Sequence, residues 1–295
     1  MLSRFLSKAL FVGLFLLLGL GCSAPKQKVD ATFITMTDSY DREVVLEKEP
    51  RSIISLSPAI TEVIFELGEE ERLVGISDFC TFPKGTEKIP KVGGLTQVNI
   101  ERIISLNPDL VLIGSIISKK DLEKMEQSGL KVIALREESG VEGVLNLFIQ
   151  IGKLVNAESL AQKKSDNYRK MLEQIKNLHF SSLKKVYYVV GFGAAGDFTA
   201  PQNSHIHEII TLAGGRNIGD QLRTWSVSKE YLFQEDPDLI FIRKEDFDAF
   251  ISTYPYTELR AVKNKKVYPI ESGWIDIVSP RNILAIQEIN SKMSD

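Results

Sequence analysis

The amino-acid sequence predicts an α/β protein: two Rossmann-like lobes with parallel sheets, joined by one long rigid α-helix, with a ligand cleft between the lobes. Three observations point there. First, one pattern occurs twice, 129 positions apart: Glu101-Arg102-Ile103-Ile104-Ser105-Leu106-Asn107-Pro108-Asp109-Leu110-Val111-Leu112-Ile113 is echoed by Glu230-Tyr231-Leu232-Phe233-Gln234-Glu235-Asp236-Pro237-Asp238-Leu239-Ile240-Phe241-Ile242. In each copy a glutamate opens a short amphipathic helix, Pro-Asp stops it, and an all-apolar run of strand type follows. Proline cannot continue a helix and pushes the residue before it out of the α region. A fully apolar strand suits a buried parallel sheet. Second, short β-type runs alternate with helical patterns, as parallel sheets require. Third, from Val141 to about Leu178 apolar residues recur at helical spacing, and no glycine-rich linker interrupts them.

A chain of 295 residues is too long for one small core and fits two lobes. A quarter of the residues are charged and the net charge is only −3, so no field favours nucleic acid. At the N-terminus, Arg4 and Lys8 precede an apolar stretch from Ala9 to Leu20. That is shorter than the about 20 residues a bilayer span needs and matches a secretory signal. The stretch ends Leu18-Gly19-Leu20-Gly21-Cys22, similar to a bacterial lipobox. Residues 1–21 are therefore expected to be a removed signal peptide and Cys22 the lipidation site. Gly19 stands where the lipobox prefers Leu, and an ordinary signal peptide or uncleaved anchor is the alternative. Residues 22–50 read as a lipid-attached tether, polar from Ser23 to Asp30, and an N-terminal extension. Cys80 is the only other cysteine, so no intramolecular disulfide is available once Cys22 carries lipid.

Lobe one is expected over 51–140. Ile53 to Leu56 reads as a strand, followed by a helix from Ser57-Pro58 to Glu66 that Gly68 stops. Leu73 to Ile76 is the next strand, with Ser77 to Pro83 leaving it. Asn99 is positioned to cap the Glu101 helix. A strand over Leu110–Ile113, a helix over Lys119–Gln127 and a strand over Lys131–Leu135 complete the lobe. An interlobe helix is expected over 141–180, with Asn156-Ala157-Glu158 as a possible break; ~25 residues would span ~37 Å. Lobe two, 181–295, follows with strands at Lys185–Val190, Leu239–Ile242 and Val267–Ile270. Its helices are expected at His205–Leu212, at Glu230, and from Pro280 to Ser291, where Pro280 follows a capping Ser279.

Gly191-Phe192-Gly193-Ala194-Ala195-Gly196 matches the dinucleotide fingerprint, which needs a helix starting inside it. Asp197-Phe198-Thr199-Ala200-Pro201 follows instead, so a loop facing a ligand crevice is the expectation. His205 and His207 could share a metal only on a strand; two apart in a helix they diverge by about 200°, and Asn203-Ser204 reads as a helix start. Phe79, Phe82, Trp225 and Trp274 stand in loops outside the periodic apolar runs, as candidate walls of a binding cleft, with core packing the alternative for each. Cys80, between the two phenylalanines, is either an inert buried thiol or a ligand contact. The sequence contains no GxSxG, HExxH or P-loop, and three histidines leave little room for a triad; an enzyme is not expected.

From Arg51 onward the chain resembles the substrate-binding proteins of bacterial ABC importers that take up cobalamin, ferric siderophores and haem. The residues that carry the resemblance are Leu56-Ser57-Pro58-Ala59-Ile60-Thr61-Glu62, Val74-Gly75-Ile76-Ser77-Asp78-Phe79, Asn99-Ile100-Glu101-Arg102-Ile103, Pro108-Asp109-Leu110, Phe198-Thr199, Gly214-Gly215-Arg216-Asn217-Ile218 and Ser279-Pro280-Arg281-Asn282-Ile283-Leu284. Their order and spacing together are specific, while no single piece is. The resemblance implies an exported monomer, held to the membrane by its lipid, that delivers a small molecule to an ABC permease dimer. It implies no catalytic residue, no metal site and no cofactor beyond the bound ligand. Glu101 and Glu230 match the glutamates that pair with permease arginines in this family, and charge complementarity there fixes register. Phe79, Trp225 and Trp274 match aromatic positions of the cobalamin-binding members. Leu95 and Gly114 depart from that pattern, standing where those members carry tryptophans. Val92-Gly93-Gly94 lacks the tyrosine that follows in haem-binding relatives, so a corrinoid is expected before a ferric chelate, and haem last. Arg223, Arg243 and Arg281 are cations that a chelate would use, with no place in the cleft assignable from sequence.

Overall fold

The computed structural model describes residues 32–94, 97–138, 140–178 and 183–293. The expected signal peptide, Cys22 and Leu95 lie outside the described residues. The first described segment is an antiparallel pair, β1 (Ile34–Thr37) and β2 (Glu43–Leu46). The turn between them is built on Asp38, whose carboxylate accepts the Tyr40 and Arg42 backbone N–H groups and pairs with the Arg42 guanidinium. Val44 and Leu46 pack into the core of the first lobe, so part of the 22–50 extension belongs to the folded body.

Lobe one is a parallel sheet of β3 (Ile53–Ser55), β4 (Leu73–Ile76), β5 (Leu110–Ile113) and β6 (Val132–Ala134), in the order β4-β3-β5-β6. Helices α1 (Pro58–Glu66), α2 (Ile100–Ser105) and α3 (Lys119–Gln127) connect the strands, and every residue of β3, β5 and β6 is buried. Between the lobes the chain forms α4 (Val141–Leu154) and α5 (Glu158–Lys176). The possible break near Asn156 is therefore real: Asn156 takes a left-handed φ of 59° and the chain reverses. Gly152 lets the two helices close up, since a Cβ there would lie 2.5 Å from Ala161. Both helices reach from lobe to lobe: α4 begins with Val141 in the lobe-two core and continues into the lobe-one core through Phe148 and Leu154, and antiparallel to it runs α5, 19 residues and so about 28 Å long. Its Tyr168 hydroxyl donates to Glu66 of lobe one at 2.8 Å, while Ile175 packs in the lobe-two core.

Lobe two holds β7 (Lys185–Val189), the short β8 (Asp197–Phe198), α6 (His205–Leu212), β9 (Arg216–Asn217) and β10 (Ser226–Val227). The chain continues through α7 (Lys229–Glu235), β11 (Leu239–Arg243), α8 (Phe247–Ser252), α9 (Arg260–Lys263), β12 (Val267–Ile270), α10 (Ser272–Ile275) and α11 (Asn282–Ser291). Its main sheet runs β12-β11-β7-β9, again all parallel. Taken in chain order within each lobe, both sheets have the same arrangement: second strand, first, third, fourth.

The repeated motif is a structural repeat down to single bonds. Leu110 pairs with Ile53 and Leu239 with Val186, the corresponding registers of the two sheets. Asp109 accepts the Arg51 and Ser52 N–H groups at 2.9 and 3.0 Å; Asp238 accepts the Lys185 N–H at 2.8 Å. Each Pro-Asp thus clasps the start of the neighbouring strand as well as ending a helix. The residue before each proline, Asn107 or Asp236, sits at a φ of 45° or 43°. Proline bars the ordinary helical region there, and Asn and Asp are the non-glycine residues that best tolerate left-handed backbone.

Candidate functional site

In a parallel α/β sheet the loops leaving the carboxyl ends of the strands form the crevice where ligands bind. Here the two sheets turn those ends toward one another across a cavity of about 920 Å³. Lobe one contributes Ser57, Pro58 and Ala59 after β3, Phe79, Thr81 and Phe82 after β4, Ser115 and Ile116 after β5, and Glu137 after β6. Lobe two contributes His205 at the start of α6, the segment after β12 that includes Trp274 and Ile277, and Arg281. The apolar walls are open to solvent: Phe79 is 58% exposed, Phe82 41%, Ile116 61% and Ile277 38%. Large apolar side chains rarely stay this exposed together unless something covers them.

Of the four aromatic residues expected at the cleft, Phe79, Phe82 and Trp274 line this cavity. Trp225 lies outside its lining: it is 42% exposed and its carbonyl accepts the Thr199 N–H at 2.8 Å, just before β10 pairs with β8. The Gly191–Gly196 stretch opens no helix. Gly191 bridges to Phe198, and Gly193 and Gly196 adopt φ of 96° and 109° as the chain turns back into β8. A pyrophosphate has no helix N-terminus to rest on there.

Two charged residues hold the lobes together beside the cavity. Glu62 of α1 is 2% exposed, and the Arg281 guanidinium approaches it side-on, with Nε at 3.0 Å from Oε2 and Nη2 at 2.6 Å from Oε1. Burial raises the Glu62 carboxyl above its ordinary range, against the opposing hydrogen bonds and charge of Arg281. The same guanidinium stacks on the Phe82 ring at 4.3 Å. Among the remaining cations, Arg243 stands behind the cavity wall: its Nε donates to Asp276 at 2.7 Å, and Asp276 also accepts the Tyr188 hydroxyl at 2.5 Å. Burial and the Asp276 charge push the Tyr188 hydroxyl upward, so it remains a donor.

His205 and His207 are each engaged within the fold. His205 Nε2 lies 2.8 Å from the Ile275 carbonyl, and His207 Nδ1 lies 3.2 Å from the Asn217 amide. Among the described residues no group of three or more metal-ligating side chains gathers. Cys80 is fully buried between the Thr61 and Ser77 hydroxyls, both at 3.2 Å, and burial raises its thiol. It packs as an inert core thiol beneath the Phe79–Phe82 loop.

Glu101 and Glu230 occupy equivalent places in the two lobes, outside the cavity lining. Both are exposed and lie in the first turns of α2 and α7. Asn99 caps the first helix through the Arg102 N–H at 2.9 Å, and Ser228 caps the second through Tyr231 at 3.1 Å. The Glu230 carboxyl is held below its ordinary range by its own backbone N–H and the Ser228 hydroxyl.

Sequence reasoning missed Glu62 and Glu137. The one available signal was Thr61-Glu62 on an otherwise apolar helix, where a charge needs a partner. Glu137, in a polar loop, carried no signal at all.

Two lobes of one topology, with the carboxyl ends of both sheets facing a shared apolar cleft, define a two-lobed ligand-capturing protein. The chain belongs to the periplasmic binding protein family, whose pattern matches residues 53–272. It is 27% identical over 277 residues to the ABC transporter substrate-binding lipoprotein YvrC of Bacillus subtilis, covering 90% of this chain and 87% of that one. A vitamin B12-binding protein of Vibrio vulnificus is 26% identical over 241 residues, 80% of this chain and 88% of its own. The solved periplasmic haem-binding protein HutB of Vibrio cholerae superimposes with a TM-score of 0.74 at 21% identity, over 83% of this chain and 99% of that one. Among the described residues no helix is long and apolar enough to cross a membrane.

Proposed function

We propose that this chain is the substrate-binding component of an ABC importer, anchored through lipid on Cys22 outside the cytoplasmic membrane, and that its ligand is a corrinoid. The observation that carries the reading is the set of exposed apolar side chains, contributed by both lobes to one cleft. A flat, largely apolar macrocycle would cover Phe79, Phe82 and Ile116 on one face and Trp274 and Ile277 on the other. Kinship with a vitamin B12-binding protein over most of both chains supports the same ligand class. Against haem, no tyrosine is among the described residues lining the cavity, and the histidine among them, His205, is engaged with a backbone carbonyl. Residues 51–140 and 181–295 would act as the two jaws, with the helical segment 141–180 limiting their relative movement. Glu101 and Glu230, at the outer ends of the two lobes' repeated motifs, would meet the permease dimer, and the protein would work as a monomer.

Titration of the purified protein with dicyanocobinamide, ferric chelates, haem and NAD tests the reading. Corrinoid binding in the nanomolar-to-micromolar range supports it; NAD binding with turnover would sink it. Phe79→Ala and Trp274→Ala are each expected to weaken the corrinoid about tenfold or more, since buried aromatic anchors dominate such sites, while thermal stability stays close to wild type. A large fall in melting temperature with intact binding would instead assign them to packing. Trp225→Ala is the comparison: loss of affinity there would extend the site further along lobe two.

A further inference from the structure

The polar side of the cleft is unevenly charged. Arg281 is the sole arginine or lysine among the described lining residues, and its fork is already given to Glu62. Of the lining carboxylates, Asp276 is paired with Arg243 and Glu271 with Lys244, at 2.7 and 3.1 Å. Glu137 has no cation within ion-pair distance among the described residues; its partners are neutral. Ser57, whose oxygen accepts the Ile60 N–H as the cap of α1, donates its one hydroxyl proton to Glu137 Oε1. The Ser115 N–H and hydroxyl donate to Oε2 at 3.0 and 3.2 Å. The carboxylate lies directly on Gly114: a Cβ at that position would be 2.2 Å from Oε2, so any larger residue there would evict it. An ionised carboxylate has about four acceptor sites and no donor. Three are filled by the protein, and the side chain, half-buried, lines the cavity.

We propose that Glu137, seated on Gly114, determines specificity in the cleft: it accepts a hydrogen bond from ligands that present N–H donors there and repels ligands that present carboxylates. The inference rests on the cleft being the ligand site. It adds a chemical rule for the ligand's rim, which is amide-bearing or cationic rather than acidic. A corrin ring edged with primary amides satisfies the rule. The propionates of haem and the carboxylates of ferric citrate violate it, because a like charge beside an acceptor-only group has neither a proton to share nor a cation to screen it.

The test compares wild type with Glu137→Gln, which keeps the size and one acceptor oxygen but removes the charge. Four probes are titrated: dicyanocobinamide, dicyanocobyrinic acid (the same ring with carboxylates in place of amides), cationic ferrioxamine B and ferric citrate. Wild type is expected to prefer the amidated corrin over the carboxylated one by on the order of 10- to 100-fold, the range of a charged hydrogen bond. Glu137→Gln should cut that ratio about tenfold, chiefly by tightening the carboxylated ligand. An unchanged ratio in the variant, or equal binding of both corrins by wild type, overturns the proposal. A wild-type protein that refuses both corrins but takes ferrioxamine B over ferric citrate, with the variant erasing that preference, sinks the corrinoid reading and keeps the rule for Glu137. Preference for ferric citrate, or binding of none of the four, overturns both.

Discussion

Arg281→Ala is expected to destabilise the protein by about 3–5 kcal/mol at neutral pH, because it strands the buried Glu62 carboxylate without its cation. Denaturant unfolding followed by circular dichroism measures the loss. The pH dependence identifies its origin. A carboxyl whose pKa is higher in the folded than in the unfolded protein binds more protons when folded, so stability falls as pH rises between the two values. Wild-type Glu62 already has that sign, since burial outweighs Arg281. Removing Arg281 raises the folded value further and widens the window. The deficit of the variant should therefore be full above the folded pKa and shrink as the pH falls toward the unfolded carboxylate range. A deficit that stays constant from pH 8 to pH 5 would mean that Arg281 acts through its packing on Phe82 instead. Replacing both partners, Glu62→Leu with Arg281→Met, should recover most of the loss, as buried ion pairs exchanged whole for apolar side chains often do.

Reversing both repeated glutamates, Glu101→Lys with Glu230→Lys, is expected to abolish uptake while ligand affinity and fold persist. Both side chains are exposed, and the caps of their helices are supplied by Asn99 and Ser228 and not by the glutamates. The lobes therefore have little reason to unfold. A membrane partner built on two-fold symmetry would meet one acidic point on each lobe, and reversed charge would oppose docking at both. Each single reversal should give a partial loss. The readout is transport of labelled ligand into cells or vesicles carrying the matching permease, beside equilibrium binding by the same purified variant. Transport at wild-type rate in the double variant would reduce both residues to solvated helix starts.

Most strands and helices around the cleft were legible because their signals are local. The echo at Glu101 and Glu230 could be read from apolar periodicity and Pro-Asp stops, which operate within about a dozen residues. The left-handed turns at Asn107 and Asp236 were not foreseen, although both residue types suit them. Nor was the clasp by which Asp109 and Asp238 hold the neighbouring strands, because its donors lie more than fifty residues earlier in the chain. The linking segment was expected as one long helix with a possible break at Asn156-Ala157-Glu158. Asn156 divides it into α4 and α5, and both reach from one lobe core to the other.

The aromatic loop residues separate local from distant information most clearly. Phe79, Phe82, Trp225 and Trp274 looked alike in the sequence, each beside a strand and outside any periodic run. Three are among the residues lining the cavity and Trp225 is not, because a loop residue's neighbours depend on how the lobes pack and not on the residues beside it in the chain. The sequence was enough to establish two α/β lobes, the helical nature of their connection and the equivalent places of the two exposed glutamates. Each of these follows from hydrophobic period, proline chemistry and helix capping. The joining of Glu62 to Arg281 across 219 residues and the seating of Glu137 on Gly114 were decided only by the tertiary structure. Both bring together groups from separate loops or lobes, where burial and charge act through space and leave no periodic trace in the chain.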